Sequence, residues 1–147
     1  MARYVASLDS DREPSAAFAY VSDFSTTREW DPNVLDAERV GDGPIGAGSR
    51  FKLTTSFAGR RASITYEISE HDPPRAVTFR GENATVLSVD RVTFEPIGAG
   101  TRVTYDADLR FKGPLQIADP LLQVILNRLG RQALAGMREQ IGPAAGE

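Results

Sequence analysis

GAGTRVTYDADLRFKGPLQIADPLLQVILNRLGRQALAGMREQI, Gly98 to Ile141, changes its period halfway along. Val103, Tyr105, Ala107, Leu109 and Phe111 alternate with Arg102, Thr104, Asp106, Asp108 and Arg110, the signature of a strand with one apolar and one wet face. Gly113-Pro114 stops it, and Asp119-Pro120 opens a helix with Asp as N-cap and Pro at the first turn. No breaker other than Gly130 and Gly136 follows before Ile141. At ~1.5 Å per residue such a helix is roughly 33 Å long. Ala118, Leu122, Ile125, Leu129, Ala133, Met137 and Ile141 form its apolar stripe. Leu121, Val124 and Leu126 widen the stripe, either as interior wall or as a patch for a second copy of the chain. Gly136 is placed to let the helix approach a strand closely.

Working back from this stretch, Phe51, Leu53, Thr55 and Phe57 alternate with charged and polar residues. So do Ala62, Ile64, Tyr66 and Ile68, and Val77 and Phe79 continue the parity. Ala84 to Glu95 and Val34 to Val40 are further strands. Turn residues separate them: Gly41 to Gly48, Ala58-Gly59-Arg60, Glu70 to Pro74 and Gly81-Glu82-Asn83. Five or six strands joined by short turns make an antiparallel meander. A sheet of that length must curl or be covered, and the final helix is the cover. Upstream, Arg3 to Leu8 suits a strand. Ala16 to Val21 is a short helix, Ser22 to Ser25 breaks it, and a second helical turn or two ends at Asp31-Pro32.

The totals exclude several chemistries. The chain has 147 residues, 41% hydrophobic and 25% charged, with net charge −3. One domain, residues 1–147 with a frayed tail from Gly142 to Glu147, is the expectation, and a chain of this size can bury roughly 70% of its unfolded surface. With no cysteine there are no disulfides, thiolate nucleophiles or Cys-based zinc sites. The one histidine, His71, falls in a turn where it is expected to be solvated. A multi-His metal site is impossible, and neither metal nor cofactor is expected. No run of Lys or Arg offers a nucleic-acid face. No window approaches the ~20 apolar residues of a spanning helix, and the N-terminus shows no signal-peptide pattern. A cytoplasmic location is expected.

The order of elements and several motifs carry a resemblance. FAYVSDFSTTREWDPNV (18–34), PIGAGSRF (44–51), EHDPPRAVTFR (70–80), DRVTFEP (90–96), GAGTRVTYDADLRFKG (98–113) and PLLQVILNRLGRQALAGM (120–137) span almost the whole chain. Together they resemble the START-like, or SRPBCC, superfamily and its polyketide cyclase/dehydrase-type branch. The resemblance implies an α+β helix-grip fold, a curved antiparallel sheet wrapped around the long C-terminal helix, with two short helices after the first strand. It also implies a deep apolar cavity for lipids, polyketides or similar molecules. No residue set here matches a characterised catalytic pattern of that superfamily.

On that architecture the expected cavity wall is Phe51, Leu53, Phe57, Tyr66, Phe79, Tyr105, Leu109, Leu122, Ile125 and Leu129. Its polar minority is Thr55, Ser88 and Asp90. The sole tryptophan, Trp30, either anchors the small helices or also closes one end of the cavity. The Gly41 to Gly48 loop and the start of the last helix are the expected gate. Asp90 points inward if Val92 and Phe94 do. A bulge between Leu87 and Val92 would turn it outward. An inward Asp90, with Tyr66 or Tyr105, is the candidate acid or base. Three readings follow: binding of a small hydrophobic molecule, a cyclase or dehydratase acting in the same cavity, and a protein-interaction module with a vestigial cavity.

Overall fold

The computed structural model describes residues 2–57 and 59–143; the side chains of Phe57 and Asp119 lie outside the described set. Strand β1 (Ala2–Ser10) leads into helix α1 (Pro14–Ser22), a 3-10 turn at Phe24–Thr26 and helix α2 (Thr27–Trp30). Six strands follow: β2 (Val34–Val40), β3 (Arg50–Phe57), β4 (Arg60–Asp72), β5 (Ala76–Glu82), β6 (Val86–Ile97) and β7 (Gly100–Phe111). A second 3-10 turn, Gly113–Ala118, passes into helix α3 (Asp119–Ile141). Ala118, not Asp119, holds the cap position of α3, one residue before the expected cap.

The sheet is seven-stranded and antiparallel, in the order β1-β7-β6-β5-β4-β3-β2. Alternation predicts the meander; β1 adds the seventh strand by pairing with β7, from Ala2 opposite Leu109 to Ser10 opposite Thr101. Short sequence separation favours hairpins, and nothing local in β1 marks a partner a hundred residues away. Two of the expected turns lie inside strands. His71 is part of β4, half-buried, with its ring edge-on to Phe18 at 5.3 Å. Gly81 is a buried residue of β5.

The interior is solid at one end. Phe24 sits in the break after α1, where Asp23 Oδ1 accepts from Ser25 N and holds the turn. Its ring stacks on Phe79 at 3.9 Å and meets Phe51, Tyr66 and Trp30 edge-on. Burying an aromatic of this size contributes on the order of 2–3 kcal/mol, with about 0.5–1.5 more per well-oriented ring pair. Phe51, Leu53 and Phe79 are therefore consumed by this core. At the other end of α3, Leu122 and Leu126 pack on Ala2 in a second, smaller cluster.

Helix α3 is pinned at specific points. A Cβ on Gly136 would lie 1.8 Å from the Trp30 carbonyl oxygen, and one on Gly130 would lie 2.3 Å from the Tyr4 ring. Gly136 thus admits the end of α2, not a strand as expected; the strand contact falls to Gly130. The Gln123 carboxamide grips the outer backbone of β1, accepting from Arg3 N at 2.9 Å and donating to Arg3 O at 2.8 Å. Ser10 Oγ donates to the Ile141 carbonyl. Among the described residues no helix is long and apolar enough to cross a membrane.

Gly→Ala inside a helix ordinarily gains up to about 1 kcal/mol. Here the sign reverses. Gly136→Ala must displace backbone and is expected to cost about 1–3 kcal/mol in urea denaturation. Gly130→Ala meets only the Tyr4 side chain, which can rotate, and is expected to cost less.

Candidate cavity and its polar cluster

The concave face of the sheet and the middle of α3 do not meet. A cavity of about 730 Å³ lies between them, within the range of small-molecule sites. Leu126, Leu129, Ala133 and Leu134 of α3 form one wall, and Ile64, Val86, Ala107 and Leu109 of the sheet form the other. Trp30 closes an end of it. Its ring is buried, stands edge-on to Tyr105 and Phe24, and donates Nε1–H to Thr26 Oγ1 at 3.2 Å. Anchoring and cavity-lining are one position, because the ring has a face for each.

Of the expected wall, Trp30, Thr55, Tyr66, Ser88, Asp90, Tyr105, Leu109 and Leu129 line the void. Phe51, Leu53 and Phe79 do not, since the Phe24 plug covers them. Leu122 faces the small cluster against β1, and Ile125 is half-buried away from the void. The expected Phe57 contribution lies outside the described side chains. The gate is also elsewhere. The lining residues that reach solvent are Arg60, Arg61, Thr85 and Leu115, so the mouth lies by the β3–β4 and β5–β6 turns and the approach to α3. The Gly41–Gly48 loop belongs to the opposite end, where Gly48 N bonds Ile68 O. Its glycines serve turn geometry, with φ of +94°, +88° and +90° at Gly41, Gly43 and Gly48.

Asp90 points into the cavity. β6 pairs with both neighbours without a bulge, Asp90 opposite Phe79 and Ala107, so parity with Val92 and Phe94 holds. Around it runs one hydrogen-bonded chain. Tyr66 Oη donates to Ser88 Oγ at 3.0 Å, Ser88 Oγ donates to Asp90 Oδ1 at 3.0 Å, and Tyr105 Oη donates to Asp90 Oδ2 at 2.5 Å. Register explains the reach of Tyr66. Gly81 stands between Tyr66 on β4 and Ser88 on β6. A Cβ there would lie 2.7 Å from the Tyr66 ring. The missing side chain lets the ring lie across β5.

The cluster has donors for Asp90 but no cation. Burial pushes the Asp90 carboxyl up to about 6, against the pull of the Tyr105 and Ser88 hydrogen bonds; Asp31 adds to the rise. Burial and the neighbouring Asp90 charge hold the Tyr105 phenol well above its usual range, and the same causes raise Tyr66. Asp31, at the end of α2, also lines the cavity. Burial pushes it up to about 6, opposed by Asn33, whose N–H donates to Oδ1 at 2.9 Å. In the sequence Asp31 reads only as a helix stop. The one clue to more is the Asp-Pro-Asn turn, in which the side chain caps the backbone N–H two residues ahead. Chemically, Asp90 accepts a hydrogen bond or a proton from a ligand hydroxyl, while the two phenols, whose single protons are already given to Ser88 and Asp90, offer a ligand their lone pairs and donate to it only by exchanging those partners.

The raised Asp90 carboxyl implies a pH signature. Between about pH 4 and 6 the folded protein keeps a proton that an unfolded aspartate releases. Its contribution to stability therefore falls as pH rises through that window and stays low above it. Asp90→Asn removes that penalty. The stability of the variant relative to wild type is expected to rise by on the order of 2–3 kcal/mol from pH 4 to pH 7, measured by urea denaturation at each pH. A difference that does not change with pH would show that Asp90 titrates normally.

Comparison with known proteins agrees with this architecture. A START superfamily protein from Mycobacterium smegmatis superposes with a TM-score of 0.79 at 13% identity, over 95% of this chain and 96% of that one. A protein from Thermus thermophilus does so at 0.76 and 19%, over 95% and 94%. The Zhui aromatase/cyclase from Streptomyces sp. R1128 matches at 0.75 and 14%, over 98% and 97%. At these identities the likeness is one of fold. No curated protein sequence matches the chain closely enough to count as a relative. The family profile described as polyketide cyclase / dehydrase and lipid transport matches residues 1–142, and the chain belongs to that family.

Proposed function

We propose that the protein binds a small hydrophobic molecule, lipid- or polyketide-like, in the cavity between sheet and α3. The observation that carries this is the ~730 Å³ void, walled mainly by aliphatic side chains, with its buried polar groups gathered around Asp90. A void of that size leaves its lining without contacts, which a folded protein keeps only at a cost. The family's description, which names both cyclase/dehydrase chemistry and lipid transport, supports the reading. In it, Trp30, Leu109 and Leu129 contact the apolar body of the ligand. Tyr66, Ser88, Asp90 and Tyr105 meet an oxygen function at its inner end, and Thr55, opposite Ala62 on β4, borders the ligand nearer the mouth.

A second reading has its own observation. Asp90 is a buried carboxyl whose proton affinity lies close to neutrality, held against a phenol in a shaped cavity. That is the equipment for moving a proton during cyclisation or dehydration of a bound ketide-like chain. Turnover of such a substrate would drop by about 10²-fold or more in Asp90→Asn if Asp90 is the base. Unchanged turnover removes it from the mechanism. The interaction-module reading receives less support. Leu121 and Val124 do face solvent, but Leu126 faces inward and a cavity of about 730 Å³ is retained.

Native mass spectrometry of the purified protein is expected to show an added mass that disappears on denaturation. Ala107→Phe, which directs a ring from β7 into the void, is expected to abolish the added mass while the protein still unfolds cooperatively. Retention of the ligand by that variant would place the binding site outside this cavity.

A further inference from the structure

The mouth of the cavity carries two arginines that no carboxylate among the described residues pairs with. Elsewhere on the sheet five arginines are matched to carboxylates, Arg3 with Asp106, Arg50 with Glu67, Arg80 with Glu82, Arg91 with Glu70 and Arg102 with Asp9, and Arg39 donates to the carbonyls of the Asp42–Pro44 loop. Lys112, also at this end of the sheet, is held by Glu82 at 2.8 Å. Arg60 and Arg61 line the mouth and make no ion pair among the described residues. Their position is not that of ordinary surface charges. Arg60 shares strand parity with Ala62, Ile64 and Tyr66, so it stands on the concave, ligand-side face of β4. The other carboxylate of the lining, Asp31, takes its hydrogen bond from Asn33, lies within electrostatic reach of Asp90, and forms no ion pair among the described residues. The cavity is therefore polarised. An uncompensated carboxyl, Asp90, lies at its inner end, apolar walls form its middle, and two arginine residues line its rim, Arg60 from the concave face of β4 and Arg61 from the next position along the strand.

We infer that the ligand is an amphiphilic carboxylate. Its carboxylate sits at the rim against Arg60 and Arg61, its apolar body fills the cavity, and any hydroxyl or keto group lies at the far end against Asp90. A reversed ligand would press its anion against Asp90 in a dry site, which is costly, so the charges select orientation as well as class. A guanidinium can hold a carboxylate through two hydrogen bonds, which adds geometry to attraction. This inference rests on the cavity being the binding site.

Trp30, the sole tryptophan, reports on it. Its fluorescence would be titrated with dodecanoic acid and with methyl dodecanoate at a pH where the acid is ionised. The acid is expected to bind about threefold to tenfold more tightly than its ester, as for one or two rim ion pairs. That preference should shrink in about 0.5 M salt, because rim charges are screened. It should vanish in the double variant Arg60→Ala/Arg61→Ala and persist in Arg60→Lys/Arg61→Lys. Equal affinity for acid and ester in the wild-type protein overturns the inference while leaving the cavity reading intact. So does a preference that survives the double alanine variant. If neither probe changes Trp30 fluorescence or adds mass in native mass spectrometry, the cavity reading and this inference fall together.

Discussion

The contact between Gly136 and the Trp30 carbonyl governs the interior. Backbone meets backbone there, at a separation no side chain would allow. It brings the C-terminal half of α3 down onto α2 and the Phe24 core, where Leu134, Met137 and Ile141 are buried. The N-terminal half is held differently, by the Tyr4 ring under Gly130 and by the Gln123 clasp on β1. Between these supports the helix spans the concave sheet without touching its centre. One end of the interior is filled by stacked aromatics and the other remains hollow. The same α2 terminus that receives Gly136 also places the Trp30 ring and Asp31 in the cavity. A single close approach thus sets both the height of the roof and two of the side chains that line the cavity.

The hollow is not chemically neutral. Interiors tolerate a carboxylate when it is paired, and Asp90 has only hydroxyl donors. Three hydrogen bonds satisfy the hydroxyls and two of the carboxylate lone pairs, but they do not cancel the charge. Burial dominates, and the carboxyl is left with a proton affinity close to physiological pH. A fold that only needed to be stable would gain by placing a Leu there. The stability sacrificed at Asp90 is the pattern expected where a side chain serves a ligand or a reaction. Set against Arg60 and Arg61 of the mouth, which form no ion pair among the described residues, it gives the cavity a direction along its length.

Much of the candidate site was legible one residue at a time and illegible as a unit. Strand parity put Tyr66 and Tyr105 on one face of the sheet and left Ser88 and Asp90 open between the two faces. It could not show that they bond to one another, because that depends on register across three strands and on the gap at Gly81. The alternative for Asp90 turned on a bulge. Val86-Leu87-Ser88-Val89 is apolar on both faces, and only pairing with β5 and β7 decided its parity. Phe51, Leu53 and Phe79 had the correct inward parity and still missed the cavity. Phe24, in a polar break with no periodicity, fills the space in front of them. The expected gate is misplaced for a similar reason. Glycine density signals unusual backbone angles, and at Gly41 to Gly48 those angles build a turn far from the opening.

By itself, the sequence determined the element order, the two-faced character of the strands and the long covering helix, because periodicity and local turn chemistry are encoded over a few residues, and its motifs carried the resemblance to the family. It also excluded thiol and multi-histidine chemistry by composition. Only the tertiary structure decided which inward residues touch a void, which are packed against Phe24, where the mouth opens, and that Asp31 and Asp90 face the same space. Those outcomes depend on how far α3 stands from the sheet. That distance is set by contacts between residues a hundred positions apart, Trp30 with Gly136 and Tyr4 with Gly130, and no local pattern reports it.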